Sequence, residues 1–175
     1  DAPRSATADM SSMETIFYGA SPMNPTRLRE GMAKWGQIFY QFFGQSECPM
    51  VIANMSKKEH DLSKPQRLSS CGRPSPWIHM SLRDPQGNEV AKGEPGEICI
   101  RGPLVMKGYK DMPEQTAEAF AGGWLHTGDV GKLDEDGFLY IVDRTKDMIV
   151  TGGFNVFPRE VEDVLSTHEA VGQVV

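Results

Sequence analysis

The 175-residue chain is 39% hydrophobic and has a formal net charge of −6, so it can form one ordinary domain or one domain and part of another. The negative charge argues against a surface that coats nucleic acid. No apolar run approaches the roughly 20 residues that cross a bilayer. We therefore expect a small-molecule partner, no transmembrane segment and a cytoplasmic location.

The first part of the chain has the pattern of a βα unit. Residues 16–18 predict a short buried strand, and Asn24 and Pro25 provide the cap and first-turn signals of a helix. Residues 38–43 predict the next strand, which is apolar on both faces as parallel strands are. This strand should end at Gly44, where open α/β sheets place their ligands.

The segments around this unit are less regular. Residues 1–15 predict a surface helix. Residues 48–76 have interspersed lysines and arginines and predict an irregular, solvated loop.

The second half of the chain has dense turn signals that indicate antiparallel β structure. Residues 78–82, 97–101 and 105–109 are strand-like, which predicts a small barrel or sandwich. A short helix should begin at Pro113. Residues 130–142 predict a hairpin with its turn at Asp134-Glu135-Asp136-Gly137. Farther on, a helix should begin at Pro158, and residues 173–175 should begin a strand.

The cysteines and histidines give no sign of a disulfide or a metal site. The three cysteines are odd in number and widely spaced, so we expect reduced thiols. No two of the four histidines have the spacing that one metal ion requires on a helix. The sequence therefore predicts no zinc site.

A first candidate binding motif is Phe43-Gly44-Gln45-Ser46-Glu47. An aromatic face beside a glycine allows a purine to stack while the backbone approaches closely. A hydroxyl can bond a phosphate oxygen, and a carboxylate can bind Mg²⁺. Taken alone, the motif more often reflects a strand end and a turn.

A second candidate site combines Asp129, which follows a Thr-Gly turn, with Arg144. The predicted hairpin folds the chain back and should bring the two side chains together. A carboxylate can accept hydrogen bonds from both hydroxyls of a ribose, and a guanidinium can bind the same ribose or a phosphate. The alternative is a simple Asp–Arg salt bridge.

These motifs, together with Gly19-Ala20-Ser21-Pro22 and the run GFNVFPREVE at residues 153–162, resemble the adenylate-forming superfamily. That superfamily contains acyl-CoA synthetases, peptide-synthetase adenylation domains and beetle luciferases. The chain looks most like the fatty-acid and aryl CoA-ligase branch. The resemblance implies an α/β fold: the end of a parallel-sheet subdomain, a small antiparallel β-barrel-like subdomain, and then the start of an α+β lid domain. Residues 1–143 would belong to the large AMP-binding domain and residues 144–175 to the hinge and lid.

The resemblance also implies roles for individual residues. Phe43 would lie against adenine, Ser46 would contact phosphate, and Glu47 would bind magnesium. Asp129 would hold the ribose hydroxyls with help from Arg144. The remaining implied positions are the nucleotide-binding residues Gly19, Ala20, Ser21, Phe42 and Gly44, the hinge Lys146, and the CoA-binding residues Gly152, Gly153 and Phe154.

The implied parent protein is an ATP-dependent acyl-CoA synthetase that uses ATP, Mg²⁺, coenzyme A and a fatty or aryl acid, and passes through acyl-AMP. Two alternatives remain: an adenylation domain that loads a carrier protein, and a non-catalytic nucleotide-binding fragment. Phe42 stands where many relatives have glycine, and its bulky ring near the adenine and acyl pocket argues against long-chain specificity. The family's phosphate loop does not occur here, and its catalytic lysine would lie beyond Val175. We therefore expect this stretch alone to be inactive.

Overall fold

The computed structural model describes residues 9–21, 23–147, 149–151, 154–165, 168 and 170–171. Their strands form a mixed four-stranded sheet in the order β1-β2-β3-β4, an antiparallel four-stranded sheet in the order β5-β6-β7-β8, and a two-stranded hairpin of β9 and β10. The elements are β1 (Ile16–Gly19), α1 (Pro25–Trp35), β2 (Phe39–Gln45), β3 (Cys48–Met55), β4 (Arg73–Pro74), β5 (His79–Arg83), β6 (Gly96–Arg101), α2 (Pro113–Ala119), β7 (Leu125–Leu133), β8 (Leu139–Arg144), β9 (Ile149–Thr151), β10 (Phe154–Val156) and α3 (Pro158–Leu165). The overall α/β class is the predicted one.

The βα unit is confirmed, but the expectation that its first strand is buried is wrong, because Phe17 is 62% exposed at the edge of the sheet. Strands β1 and β2 pair in parallel, and α1 connects them. The helix begins where expected because the Asn24 side chain accepts hydrogen bonds from the backbone N–H groups of Thr26 and Arg27, at 2.8 and 3.3 Å. Leu28 and Met32 are buried on the face of α1 that packs against Phe39 of β2.

The prediction of an irregular loop over residues 48–76 is wrong. This segment contains β3, β4 and two short 3-10 helices, and β3 pairs antiparallel with β2. Apolar side chains explain the strand, because Ile52 and Met55 are fully buried. The basic residues that suggested a solvated loop lie around the 3-10 turns. One of them, Arg67, bonds Asp136 at 2.7 Å and lies over the Phe138 ring, so it holds the fold together.

The antiparallel sheet contains the predicted hairpin of β7 and β8. Strands β5 and β6 also form where expected, but residues 105–109 are not a strand. Their backbone instead contacts the β2–β3 turn through a hydrogen bond from Met106 N to Glu47 O at 2.8 Å. The main core joins the two large sheets. Its fully buried members include Ile52, Ile98, Ile100, Leu125 and Leu139.

The two ends of the described chain differ in how well they match expectation. Residues 9–15 contain a turn rather than the predicted helix, and residues 1–8 lie outside the described part. Helix α3 begins at Pro158 as predicted, and Phe157 just before it is buried against Val130 and Val142 of the antiparallel sheet. The strand predicted over residues 173–175 lies outside the described residues. None of the described helices has both the length and the apolarity that a membrane crossing requires.

Candidate functional site

The first motif lies at the tight turn between β2 and β3. Strand β2 continues past Gly44 to Gln45, and only Ser46 and Glu47 separate it from β3. The expected strand end at Gly44 is therefore wrong by one residue. A Cβ atom on Gly44 would lie 2.2 Å from the backbone nitrogen of Met50. The close fold of this hairpin thus requires glycine whether or not a ligand approaches it.

Glu47 is held from two directions by the loop before α2. The Tyr109 hydroxyl donates a hydrogen bond to Glu47 Oε1 at 2.7 Å, and Met106 N donates to the Glu47 carbonyl. The hydrogen bond to the carboxylate raises the pKa of Tyr109. The backbone of Tyr109 is itself anchored, because its N–H donates to Thr116 Oγ1 at 2.9 Å. Sequence reasoning missed Tyr109, which it assigned to a strand.

The turn after β1 lies beside β2. Gly19 pairs with Phe42 in the parallel register, and Ala20 adopts the left-handed region at φ 64°. Ser21 is exposed. The Phe42 ring packs against the rings of Phe17 and Tyr40, with centroids 5.3 and 4.9 Å away. The bulky side chain at this position therefore belongs to an aromatic group on one face of the sheet.

Asp129 lies in a bulge inside β7. The Thr127-Gly128 pair that precedes it is part of this bulge and not a turn before the strand. Residues 127–129 stand opposite Ile98 of β6, where the register shifts. Gly128 permits the bulge because its φ is +73°. The Thr127 hydroxyl donates to the Ile98 carbonyl at 2.8 Å, and Gly128 N donates to Glu97 Oε1 at 3.2 Å. Thr145 N donates to the Gly128 carbonyl at 2.8 Å, so the start of the next segment also fixes this bulge.

Asp129 and Arg144 converge as predicted. They are direct partners in the β7–β8 ladder, and Arg144 Nε lies 3.6 Å from Asp129 Oδ1. The Asp129 side chain is 16% exposed, whereas that of Arg144 is 63% exposed. Burial raises the pKa of Asp129, and the nearby Arg144 charge opposes this shift. Because the guanidinium is largely in water, it compensates only part of the burial.

A cluster of polar side chains lies beside the bulge. His126 Nδ1 is 2.8 Å from Glu97 Oε2 and 3.5 Å from Cys99 Sγ. His126 Nε2 is 3.2 Å from the Ala121 carbonyl oxygen. Burial, together with the Glu97 charge, raises the pKa of Cys99 to about 12. All three cysteines are free thiols, as expected.

An open pocket of about 510 Å³ lies between helix α2 and the bulge in β7. Its lining includes Tyr109, which bonds Glu47, and Thr127 and Gly128, which precede Asp129. Gln115, Glu118 and Ala119 of helix α2 also line the pocket. The other nucleotide-binding candidates, which are Gly19, Ala20, Ser21, Phe42, Phe43, Gly44, Ser46 and Arg144, are not among its lining residues. Glu47 and Asp129 do not line it themselves, but Glu47 is bonded to the lining residue Tyr109, and Asp129 follows the lining residue Gly128.

The hinge candidate Lys146 is exposed in the turn between β8 and β9. Gly152 and Gly153 lie outside the described residues. Phe154 begins β10, which pairs antiparallel with β9.

Comparison with known proteins agrees with this arrangement. A family model described as "AMP-binding enzyme" matches residues 1–110. The medium/long-chain-fatty-acid–CoA ligase FadD8 of Mycobacterium tuberculosis is 56% identical over 174 residues, which cover 99% of this chain and 30% of that protein. A long-chain-fatty-acid–CoA ligase of Salmonella typhimurium is 43% identical over 167 residues, covering 95% of this chain and 29% of that protein.

Among solved structures, the amide bond synthetase McbA from Marinactinospora thermotolerans superposes with a TM-score of 0.90 at 36% identity, covering 99% of this chain and 34% of that one. The chain therefore spans about 30% of the length of the curated relatives it matches. With the family model matching well over half of its residues, the chain belongs to the AMP-binding enzymes of the adenylate-forming superfamily.

Proposed function

We propose that this chain is part of an ATP-dependent acid–thiol ligase, an AMP-forming acyl-CoA synthetase. The observation that supports this most directly is the pocket bordered by Tyr109, which bonds Glu47, and by the bulge that leads to Asp129. Glu47 is a carboxylate suited to a metal–phosphate contact, and the Asp129–Arg144 pair is suited to a ribose; Glu47 and Asp129 each adjoin a residue that lines this pocket. The similarity to fatty-acid–CoA ligases supports the same reaction.

In this proposal Asp129 accepts hydrogen bonds from the ribose hydroxyls, and Arg144 binds the same ribose or a neighbouring phosphate. The partial burial of Asp129 favours this role, because a desolvated carboxylate forms stronger hydrogen bonds than one in water. The exposed Arg144 has freedom to move toward a ligand. The adenine would lie against Phe43, and the phosphate would contact Ser46. The other nucleotide-binding positions are Gly19, Ala20, Ser21, Phe42 and Gly44.

Glu47 is the proposed ligand for Mg²⁺. Magnesium in nucleotide sites is commonly held by one or two carboxylates together with substrate phosphates, which fits a single glutamate on a tight turn. The Tyr109 hydroxyl donates a hydrogen bond to Glu47 Oε1, and this bond fixes the orientation of the carboxylate. Bound Mg²⁺ would supply electrostatic stabilisation for charge on the phosphates.

The proposed reaction has two steps. The acid's carboxylate oxygen attacks the α-phosphorus of ATP, a P–O bond forms, and pyrophosphate leaves with its electron pair. The thiolate of CoA then attacks the acyl carbon, a C–S bond forms, and AMP leaves. We assign Lys146 to the hinge between these steps, with residues 1–143 on one side and 144–175 on the other. Gly152, Gly153 and Phe154 are the proposed CoA-binding residues.

The proposed acid is a fatty acid, as the names of the Mycobacterium tuberculosis and Salmonella typhimurium relatives suggest. Phe42 and its neighbours Phe17 and Tyr40 form an apolar aromatic surface on the sheet that leads into the first motif. Such a surface suits the apolar part of a carboxylic acid better than a charged group. We place the protein in the cytoplasm, where ATP and CoA are available.

The test is a pair of assays on the full-length protein. Acid-dependent exchange of pyrophosphate into ATP across fatty and aryl acids measures the first step alone. Product analysis with CoA, a carrier protein or an amine then identifies the acceptor. Fatty-acid-dependent exchange followed by CoA thioester formation would support the proposal. Amide or carrier-bound products without a CoA thioester would contradict the assignment of CoA as the acceptor. Absence of exchange with every acid would contradict the proposed function itself.

A further inference from the structure

Three side chains of metal-binding type converge on strands β6 and β7. Cys99 and His126 are direct partners in the ladder, and Glu97 lies on the same face of β6 as Cys99, two residues earlier. One donor atom from each residue lies within 4.8 Å of the other two. The convergence arises from strand pairing, so it does not appear as a short spacing in the sequence.

Both ring nitrogens of His126 lie at hydrogen-bonding distance from oxygen atoms. Its Nε2 faces the Ala121 carbonyl oxygen at 3.2 Å, so Nε2 carries a proton and donates. Its Nδ1 lies only 2.8 Å from Glu97 Oε2. Either a proton or a metal ion between these two atoms makes the contact attractive.

Hydrogen bonds to backbone groups outside the cluster fix the orientation of His126 and Glu97, as is usual for the ligands of a metal ion. A metal-binding histidine usually donates its other N–H to a carbonyl or carboxylate, as His126 does to Ala121. A metal-binding carboxylate is usually hydrogen-bonded as well, and Glu97 Oε1 accepts from Gly128 N at 3.2 Å. Each side chain therefore has one atom held from outside the cluster, while His126 Nδ1 and Glu97 Oε2 face each other inside it.

We propose that Glu97, Cys99 and His126 form a binding site for a thiophilic divalent cation of the Zn²⁺ type. Thiolate, imidazole and carboxylate together suit Zn²⁺ or Co²⁺, whereas Mg²⁺ and Ca²⁺ prefer oxygen ligands alone. This site would therefore bind a different class of metal ion from Glu47, which is the proposed ligand for Mg²⁺. Glu97 and His126 also line the open pocket, which gives the ion access and leaves a fourth position for water.

Of the three distances between ligand atoms, the sulfur–nitrogen distance agrees with tetrahedral zinc, the nitrogen–oxygen distance requires a small adjustment, and the sulfur–oxygen distance is within 4.8 Å. Ordinary Zn–S and Zn–N bond lengths place the two ligand atoms about 3.6 Å apart, and Cys99 Sγ and His126 Nδ1 are 3.5 Å apart. The same bond lengths place nitrogen and oxygen about 3.4 Å apart. Glu97 Oε2 therefore has to move outward by a few tenths of an ångström, which its partly exposed side chain permits. On binding, Cys99 gives its thiol proton to the buffer and the thiolate bonds the metal.

Titration with Co²⁺ tests the site without any measurement of activity. The full-length protein, first stripped with a chelator, should develop a sulfur-to-cobalt charge-transfer band in the near ultraviolet. Zn²⁺ should displace the cobalt, and excess Mg²⁺ should not. The Cys99→Ser variant should lose the band, while Glu97→Gln and His126→Asn should weaken Co²⁺ binding by at least about tenfold. The matched controls are Cys48→Ser, at another buried thiol, and His79→Asn, at an exposed histidine.

Circular dichroism would establish that each variant is folded. Because Cys99 is fully buried, its substitution could disturb the core, and the partly exposed Glu97 and His126 variants then decide the outcome. Folded wild-type protein without the charge-transfer band would overturn the proposal. So would a band that persists unchanged in Cys99→Ser, or cobalt affinity unchanged in both other variants. In those cases a proton alone joins His126 to Glu97.

Discussion

Asp129 and Arg144 face each other across the β7–β8 ladder, with Arg144 Nε 3.6 Å from Asp129 Oδ1. The pair is asymmetric, since the carboxylate is mostly buried and the guanidinium is mostly in water. Because the guanidinium is in water, this ion pair contributes little to stability. Its more important consequence is that a largely buried acceptor and an exposed donor lie together next to Gly128, which lines the pocket.

Replacement of Asp129 by alanine should therefore weaken nucleotide binding more than it destabilises the fold. Loss of hydrogen bonds to a charged group costs about 1.5–3 kcal/mol, which corresponds to about a 10- to 100-fold loss of affinity. Calorimetric titration of the full-length protein with ATP would measure this. Asp147→Ala, at an exposed aspartate of the nearby turn, is the control. Equal destabilisation by Asp129→Ala and Asp129→Asn, with affinity unchanged, would instead indicate a structural salt bridge.

Tyr109→Phe should raise the Mg²⁺ concentration needed for the first step by about tenfold, because a hydrogen bond to a charged group is worth about 1.5–3 kcal/mol. The phenol positions Glu47 through its bond at 2.7 Å and has no part in the chemistry. The rate at saturating Mg²⁺ should stay near the wild-type value. Tyr140→Phe removes a similar bond to a carboxylate, that of Asp134, and is the control. An unchanged Mg²⁺ dependence in Tyr109→Phe would show that this bond does not serve the metal site.

Lys146→Pro should separate the two half-reactions. Proline fixes φ at its own position and restricts Thr145 before it, so the turn after β8 could no longer change conformation. Acyl-AMP should still form, while thioester formation should fall to background. Rapid quenching that follows both products would measure this, with Lys146→Ala as the control for loss of the charge. Loss of both half-reactions in parallel would assign the position to the first step or to folding.

His60 should make the protein less stable at mildly acidic pH. The side chain is 1% exposed, with Nδ1 2.8 Å from the Ser56 carbonyl oxygen and Nε2 2.9 Å from the Tyr18 hydroxyl. Burial lowers its pKa below the ordinary value of 6.5. As pH falls, His60 is therefore protonated in the unfolded chain before it is protonated in the folded protein. This contribution to stability is complete above about pH 6.5 and is lost as pH falls toward the folded pKa.

Chemical denaturation between about pH 5 and 8 would measure the effect, which cannot exceed about 1.4 kcal/mol per pH unit for one group. A His60→Gln variant should show a shallower loss of stability below about pH 6.5 than the wild type. Identical pH profiles would contradict the assignment. His79→Gln, at an exposed histidine, should reproduce the wild-type profile.

The sequence alone determined those features that depend on local chemistry. The cap at Asn24, the helix start at Pro158 and the hairpin around residues 134–137 follow from side-chain hydrogen bonding and restricted dihedrals within a few residues. The meeting of Asp129 and Arg144 was also predictable, because a hairpin makes distant positions into ladder partners. The motifs themselves are enough to indicate the family, because they are runs of adjacent residues.

Only the tertiary structure decided which segments pair across the chain. Strand β3 was missed because its flanking basic residues suggest solvent, whereas burial against the second sheet stabilises it. Residues 105–109 look like a strand, but their backbone bonds the β2–β3 turn, and this places Tyr109 on Glu47. Glu97, Cys99 and His126 have no helical spacing, and the sequence therefore gave no reason to expect a metal there. Their donor atoms meet because β6 and β7 are ladder partners, and long-range pairing of this kind is set by burial of the whole sheet rather than by any local pattern.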